Sequence, residues 1–210
     1  FWEKLSALLK QWDFIMNPYD QCVANKLVNG AQLTVSWHVD DLKIDHVDST
    51  VVDKFIEQLD GEFGREAPLN VSRGKEHEYL GMKLDFSIPG QVTITMIDYI
   101  HMVLHDSPPD MIGTAATPAA SHLFVVNTVD PVPLSADELE QFTHSVMQLL
   151  YLSQRGRPDL RTAVSFLNGR LTIPDRDDWK KLARVMKYLR ATIDMPLTLA
   201  ADDDGKIRWW

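Results

Sequence analysis

The chain has 210 residues, 45% of them hydrophobic, and a formal net charge of −9. A chain of this length can bury a sizeable core and form one or two domains. It contains no apolar run of transmembrane length and no signal peptide, so we expect no membrane partner. The single cysteine, Cys22, excludes an internal disulfide bond, fits a reducing compartment and is best explained as a small core residue.

The charges are unevenly distributed. Residues 150–191 contain ten Lys and Arg residues against four Asp, a net charge of +6, so the remaining residues together carry −15. A net acidic chain is unexpected for a nucleic-acid binder, because phosphate contacts need Lys and Arg. The basic segment nevertheless offers a surface that can follow a phosphate backbone.

The first part of the chain predicts a helix followed by a sheet. Apolar residues at helical spacing predict a helix that ends near Gln11. Residues 21–28 and 33–39 resemble strands, and Asn29-Gly30 between them predicts a tight hairpin. Residues 42–45 return as a further strand, and capping side chains at residues 48–50 begin a helix of about three turns.

Two adjacent carboxylates, Asp40 and Asp41, interrupt the strand pattern with apolar residues on either side. Desolvating neighbouring like charges is costly unless a cation or hydrogen-bond donors compensate. At a bend between strands both carboxylates can converge on one point, and Mg²⁺ binds through one or two carboxylates together with substrate phosphates. A solvated turn is the alternative explanation of such a pair.

The second part predicts a hairpin, a short helix and then a helical region. Residues 78–86 and 91–95 form the hairpin, and residues 96–105 form the helix, where His101 and His105 are a surface pair because no third metal ligand accompanies them. Residues 106–134 contain five prolines and predict a linker. Three helices follow from Ser135, Pro158 and Asp177, and residues 197–199 and 206–210 predict a terminal hairpin.

Three cations on the last predicted helix follow a spacing of four and then three residues and share one face: Lys180, Arg184 and Lys187. A solvated face is one explanation. Contact with a nucleic-acid backbone is the other, and it agrees with the basic charge of this segment.

Residues 37–41, Trp-His-Val-Asp-Asp, resemble the Tyr-x-Asp-Asp box of reverse transcriptases in the Val-Asp-Asp form of Ty1/copia-type retrotransposon polyproteins. Residues 1–20 resemble the helix and turn before that box, and residues 79–84 resemble the family's Leu-Gly strand. Residues 116–118 resemble its threonine-proline mark, and residues 149–190 contain matches to its connection segment. The resemblance covers essentially the whole chain.

The resemblance implies an RNA-directed DNA polymerase that adds nucleotides to a primer by two-metal phosphoryl transfer. It implies an α+β fold with a partial palm over residues 1–105, a proline-rich linker over 106–134 and a helical thumb and connection region over 135–210. The partners implied for such a polymerase are an RNA template, a DNA primer, deoxynucleoside triphosphates, and the ribonuclease H and integrase parts of the polyprotein. The implied location is the cytoplasm, within a virus-like particle.

The resemblance also assigns roles to residues of this chain. Asp40 and Asp41 are the catalytic ligands of Mg²⁺ or Mn²⁺, and His38 and Val39 lie near the primer terminus and the nucleotide. The primer grip consists of Tyr79, Leu80, Gly81 and Met82.

Two features depart from the family pattern. His38 stands where the family has Tyr, which changes the reach of the ring and adds a titratable group, so reduced activity or a decayed element is possible. The family also uses a third Asp on an upstream strand, which Asp13, Asp20 and Asp45 do not match. We therefore expect a fragment that lacks this strand, the surrounding fingers and the downstream ribonuclease H domain, and that is inactive alone.

Two alternatives remain beside the polymerase. The chain can be a non-catalytic relic or a co-opted nucleic-acid-binding module that uses its basic helices without chemistry. It can also be an unrelated two-layer α+β protein with a coincidental Asp pair, which the matches at residues 79–81 and 157–159 disfavour.

Overall fold

The computed structural model describes residues 1–65 and 67–200. The chain divides into two compact units, Phe1–Ser72 and Arg73–Trp210. Each unit combines helices with a four-stranded antiparallel sheet, which confirms the predicted α+β class. The division of the chain into palm, linker and connection regions concerns function and stays a prediction.

The first unit packs two helices against one face of its sheet. Its elements in chain order are α1 (Trp2–Gln11), β1 (Ile15–Met16), β2 (Val23–Val28), β3 (Ala31–His38), β4 (Asp41–Asp45) and α2 (Ser49–Phe63). The strands are ordered β1-β2-β3-β4. Alternate residues of β3, namely Leu33, Val35 and Trp37, share a core with Leu9 of α1 and Phe55 of α2, so β3 shows the period of two that a half-buried strand requires.

The turn between β2 and β3 follows the sequence prediction. Asn29 and Gly30 have φ of 53° and 80°, and Val28 pairs with Ala31. Positive φ at both central residues defines a type I′ turn, which Asn-Gly favours strongly. The predicted hairpin is confirmed.

The second unit contains a helical core and a sheet of its own. Its elements are β5 (Glu76–Tyr79), β6 (Met82–Asp85), β7 (Gln91–Thr95), α3 (Ile97–Asp106), α4 (Ala136–Arg155), a 3₁₀ turn (Pro158–Leu160), α5 (Arg161–Asn168), α6 (Arg176–Ala191) and β8 (Leu197–Ala200). The predicted capping box of α4 is present: Glu138 N donates to Ser135 Oγ, and Ser135 N donates to Glu138 Oε2.

The strand β8 forms one edge of the second sheet. It pairs with β7 in antiparallel register, from Ile94 opposite Leu197 to Gln91 opposite Ala200. The strand predicted around residues 197–199 is therefore confirmed. Its predicted partner over residues 206–210 lies outside the described residues.

The proline-rich segment between α3 and α4 has no regular secondary structure, yet it packs against the helices. Met111 and Leu123 belong to the core of the second unit. The indole Nε1 of Trp179 on α6 donates to Asp110 Oδ2 at 2.8 Å. The segment predicted as a linker thus contributes to the core of this unit.

Arg157 joins the start of α5 to the end of α6. Its side chain is 2% exposed, and its guanidinium donates two hydrogen bonds to the carboxylate of Asp159, at 3.0 and 2.8 Å. It donates two more to Thr192, to the backbone carbonyl at 2.8 Å and to Oγ1 at 2.7 Å. All four bonds involve a cation and satisfy a group that water cannot reach.

The same contact perturbs Asp159. Burial raises its pKa, but the hydrogen bonds from Arg157 and Tyr188, together with the charge of Arg157, outweigh burial and hold the pKa below its usual value. Because the folded-state pKa is lowered, the ion pair stabilises the unit above the ordinary carboxyl pKa. That contribution is lost as the pH falls through the lowered value.

We expect Arg157→Ala to destabilise the second unit by about 3 kcal/mol, because it removes the buried cation and the four hydrogen bonds that it donates to Asp159 and Thr192. Urea unfolding followed by circular dichroism measures the loss, and hydrogen exchange of the α5 and α6 amides locates it. Arg161→Ala, at an exposed position four residues away, is the control and should change stability by about 0.5 kcal/mol or less. Equal losses in the two variants would contradict this role of Arg157.

Candidate functional site

Asp40 and Asp41 lie at the tip of the hairpin formed by β3 and β4. Strand pairing continues to His38 opposite Asp41, which leaves Val39 and Asp40 as a two-residue loop. The predicted placement of both carboxylates at a bend between two strands therefore agrees with the structure. Asp40 lies in the loop itself, and Asp41 is the first residue of β4.

The register of the hairpin determines which side chains share a face. Residues directly opposite each other in an antiparallel pair point to the same side of the sheet. The pair of Trp37 and Leu42 lies on the core side, so His38 and Asp41 lie on the other side. That face is polar, and Asp41 is therefore directed away from the helices.

The environment of the two carboxylates differs from the expectation in one respect. Asp40 and Asp41 are both exposed, whereas the strand pattern predicted a desolvated pair that needs compensation. The reason is that the loop extends beyond the buried part of the sheet. Within the described residues neither carboxylate has an ion-pair partner, so both are free to bind a cation.

Val39 carries the backbone strain of this turn. Its φ is 57°, and it is the only one of the two loop residues with a positive φ, as in a type II′ turn. Glycine is the usual residue at this place, because a β-branched side chain is rarely found there. The Val39 side chain is 72% exposed, so burial of this side chain does not offset a strain of about 1–3 kcal/mol.

The carboxylate pair fits a divalent cation only as part of a larger ligand set. The described residues contain no group of three or more His, Cys, Asp or Glu side chains that could hold a metal ion. Two hard oxygen donors at one rigid turn are what Mg²⁺ uses when substrate phosphates and water complete its octahedron. The donor set therefore fits Mg²⁺ bound together with a substrate. His101 and His105 on α3 are both exposed, as predicted for a surface pair.

The residues predicted to grip a primer form a second two-residue hairpin, in the second unit. Tyr79 pairs with Met82, and the loop residues Leu80 and Gly81 have φ of 52° and 71°. Both values are positive, so this is a type I′ turn with a non-glycine residue at its first position. The hydroxyl of Tyr151 on α4 donates to the carbonyl oxygen of Leu80 at 2.8 Å.

Local sequence patterns do not reveal the contact between Tyr151 and Leu80. Tyr151 is 71 residues away from Leu80, and an aromatic residue on an amphipathic helix is ordinarily explained by core packing. Only the tertiary structure brings the two residues together.

The predicted cationic face of α6 is partly occupied by the chain itself. Lys180 is exposed. Arg184 is half-buried and donates from Nη2 to Thr117 Oγ1 at 2.9 Å, and Lys187 is also half-buried. Of the three cations, Lys180 is the most accessible to a nucleic-acid backbone.

Several other cations of the basic segment are paired with carboxylates. Arg170 binds Asp178, Lys181 binds Asp177, and Arg176 binds Glu138, at 2.6–2.9 Å. The positive charge counted along the sequence therefore exceeds the positive charge presented at the surface.

Comparison with known proteins shows similarity to products of transposons. The chain is 23% identical over 195 residues to a protein assigned to transposon Ty5-1 of Saccharomyces cerevisiae, covering 93% of the chain and 61% of that protein. It is 22% identical over 205 residues to the retrovirus-related Pol polyprotein from transposon TNT 1-94 of Nicotiana tabacum, covering 95% of the chain and 15% of the polyprotein. These similarities support derivation from the Pol region of a retrotransposon.

The chain thus spans less than two thirds of the length of either relative. No protein-family model matches it. No solved structure matches it either. In the described residues no helix is long and apolar enough to span a membrane.

Replacing Val39 by Gly should stabilise the first unit by about 1 kcal/mol, because relief of the turn strain exceeds the entropic cost of a new glycine. Hydrogen exchange of the slowest β3 and β4 amides measures this change. Val47→Gly is the matched control, since Val47 is 88% exposed and has no positive φ; it should lower stability. Equal destabilisation by both substitutions would rule out strain at Val39.

Proposed function

We propose that the chain is part of the RNA-directed DNA polymerase of a Ty1/copia-type retrotransposon. The observation that carries the proposal is the pair Asp40-Asp41 at the tip of a strained two-residue hairpin. Strained backbone is typical of functional sites, where it fixes groups that flexible turns would not hold. The similarity to transposon proteins, including a Pol polyprotein, supports the same proposal.

In this proposal Asp40 and Asp41 bind Mg²⁺ or Mn²⁺. The bound ions supply activation of the attacking 3′-hydroxyl and stabilisation of the leaving pyrophosphate. The two carboxylates provide charge and orientation, and the short loop keeps them in place before the substrate arrives. His38 and Val39 are at the primer terminus and the nucleotide, and imidazole offers the primer a flat ring in place of the phenol of the family.

The second unit is proposed to contribute contacts to the nucleic acid. The hairpin of Tyr79, Leu80, Gly81 and Met82 holds the primer end. Lys180, Arg184 and Lys187 follow the backbone of the RNA–DNA duplex, with Lys180 the most exposed of the three. The substrates are an RNA template, a DNA primer and deoxynucleoside triphosphates, and the ribonuclease H and integrase parts of the polyprotein act with it in a cytoplasmic virus-like particle.

Metal binding can be tested on the chain itself. We expect low concentrations of Mn²⁺ to broaden the amide NMR signals of residues 38–42 first, because the two unpaired carboxylates lie there. The double substitution Asp40→Asn and Asp41→Asn should remove this local broadening. Glu57→Gln, which removes one exposed carboxylate from α2, should preserve it. Equal broadening at all exposed acidic residues would contradict a metal site at the hairpin.

Polymerase activity can be tested on the full-length protein that contains this chain, by primer extension on an RNA template. Asp40→Asn should reduce extension by about a hundredfold or more, because it removes one of the two carboxylates that would hold the metal ions. Glu57→Gln is again the control and should extend at the wild-type rate. An unchanged rate in Asp40→Asn would remove the assignment.

The basic charge of residues 150–191 favours a second candidate, a nucleic-acid-binding module without catalysis. This candidate predicts salt-dependent binding of template–primer that is independent of Mg²⁺, with no extension by the full-length protein. The two functions therefore differ in their metal dependence.

A further inference from the structure

We propose that Tyr151 is a positioning residue for the turn of Leu80 and Gly81 and holds this turn from the last turns of α4. The inference deepens the proposed function, in which this hairpin holds the primer end. The contacts that carry it lie within the second unit. They are a hydrogen bond that tethers the turn, two contacts that fix the Tyr151 ring, and the close packing of Met96 as a wedge between the hairpin and α4.

The tether is the hydrogen bond from Tyr151 Oη to the carbonyl oxygen of Leu80, at 2.8 Å. In a two-residue hairpin the ladder bonds are made by the closing pair, here Tyr79 and Met82. The Leu80 carbonyl belongs to the loop and takes no part in that pair. Tyr151 therefore binds a group that strand pairing leaves without a protein partner.

The phenol ring that makes this bond is itself fixed. The ring of Tyr99 lies 5.1 Å from that of Tyr151, centroid to centroid, with a tilt of 38°. The guanidinium of Arg155, one helical turn later, lies 3.7 Å from the centroid of the Tyr151 ring. Stacking of an aromatic ring and a cation restricts the side chain, so Tyr151 has little freedom to follow a moving turn.

Met96 forms the wedge between the hairpin and α4. Its side chain is 3% exposed. A Cβ built on Gly156, which caps the C-terminus of α4, would lie 2.9 Å from Cγ and Sδ of Met96, and a Cβ on Gly81 would lie 3.9 Å from its Cε. The thioether thus reaches from the end of α4 to the turn, and the absence of a side chain at Gly156 permits this approach.

A tether matters here because β5 is an edge strand in the sheet order β5-β6-β7-β8. An edge strand has a hydrogen-bonded neighbour on one side only, so strand pairing alone supports the turn at its end less than it supports an inner strand. Holding a reacting end requires placement to within a fraction of an ångström, since a small displacement slows a reaction strongly. Tyr151 and Met96 supply the missing support from α4.

The structure provides a matched pair of variants. Tyr151→Phe and Tyr99→Phe each remove one hydroxyl from the same aromatic pair. Each hydroxyl donates to a backbone carbonyl, that of Leu80 for Tyr151 and that of Gln148 for Tyr99, the latter at 3.2 Å. Only the first bond reaches the hairpin, so general loss of packing or of hydrogen bonding affects both variants alike.

The first measurement is hydrogen exchange of the amides of residues 77–84. Tyr151→Phe should accelerate exchange there about tenfold, the effect of losing one partly buried hydrogen bond. Tyr99→Phe should leave these amides unchanged. Gly156→Ala, which pushes Met96 towards the turn, should also accelerate their exchange, whereas Gly169→Ala, at the C-cap of α5, should not. Wild-type exchange in Tyr151→Phe, or equal acceleration in both Tyr variants, would overturn the tether.

The second measurement uses primer extension by the full-length protein. Tyr151→Phe should lower the extension rate at saturating template–primer at least about fivefold and change the dissociation constant less than about twofold. Affinity comes from backbone charge that the substitution leaves intact, while misplacement of the primer end acts on the rate. Tyr99→Phe should keep both values.

A loosened hairpin with an unchanged extension rate would overturn the positioning role. If the wild-type full-length protein extended no primer, the proposed function and the positioning role would fail together. The exchange data would still show whether Tyr151 tethers the turn. The two measurements therefore separate failure of the contact from failure of the function.

Discussion

The two-residue loop between β3 and β4 is the constraint on which the candidate site depends. Because pairing persists to His38 and Asp41, the chain must reverse within Val39 and Asp40, and Val39 takes a φ of 57° to do so. This reversal fixes the register of the hairpin. A slip by one residue would exchange the two faces of β3, moving Trp37 into water. The core therefore stabilises the strained turn, and the turn in turn fixes the placement of the carboxylates.

The sequence predicted the elements whose signals are local. The Asn29-Gly30 turn, the capping box at Ser135 and the strand around residues 197–199 each follow from a few neighbouring residues, and all are found. The environment of Asp40 and Asp41 was not predictable in this way. The sequence predicted the bend between the two strands, but the apolar residues on either side of the pair indicated desolvated charges. Both carboxylates are exposed, because the chain reverses in a two-residue loop in which Val39 takes a positive φ.

Net charge and composition predicted the surface and the packing of the second unit less well than local sequence motifs predicted its secondary structure. The positive sum of residues 150–191 suggests a broad basic surface. However, Arg157 is buried and Arg170 half-buried against carboxylates of the same segment, and Arg176 binds the distant Glu138. Prolines and small residues correctly excluded regular structure between α3 and α4. They did not exclude packing, because Met111 and Leu123 bury their side chains without belonging to a helix or strand.

The two hairpins of the proposed function reverse the chain direction in the same way but have different surroundings. Each reverses within two residues and has a non-glycine residue at positive φ, Val39 in one and Leu80 in the other. The first tip is exposed, whereas the second is tied to α4 through Tyr151. On the proposed function this difference has a physical reason. A metal site at the first tip needs open access for the substrate phosphates and water that complete the coordination of the ion. A surface that holds a nucleic-acid end needs no such access and gains from being fixed by the protein.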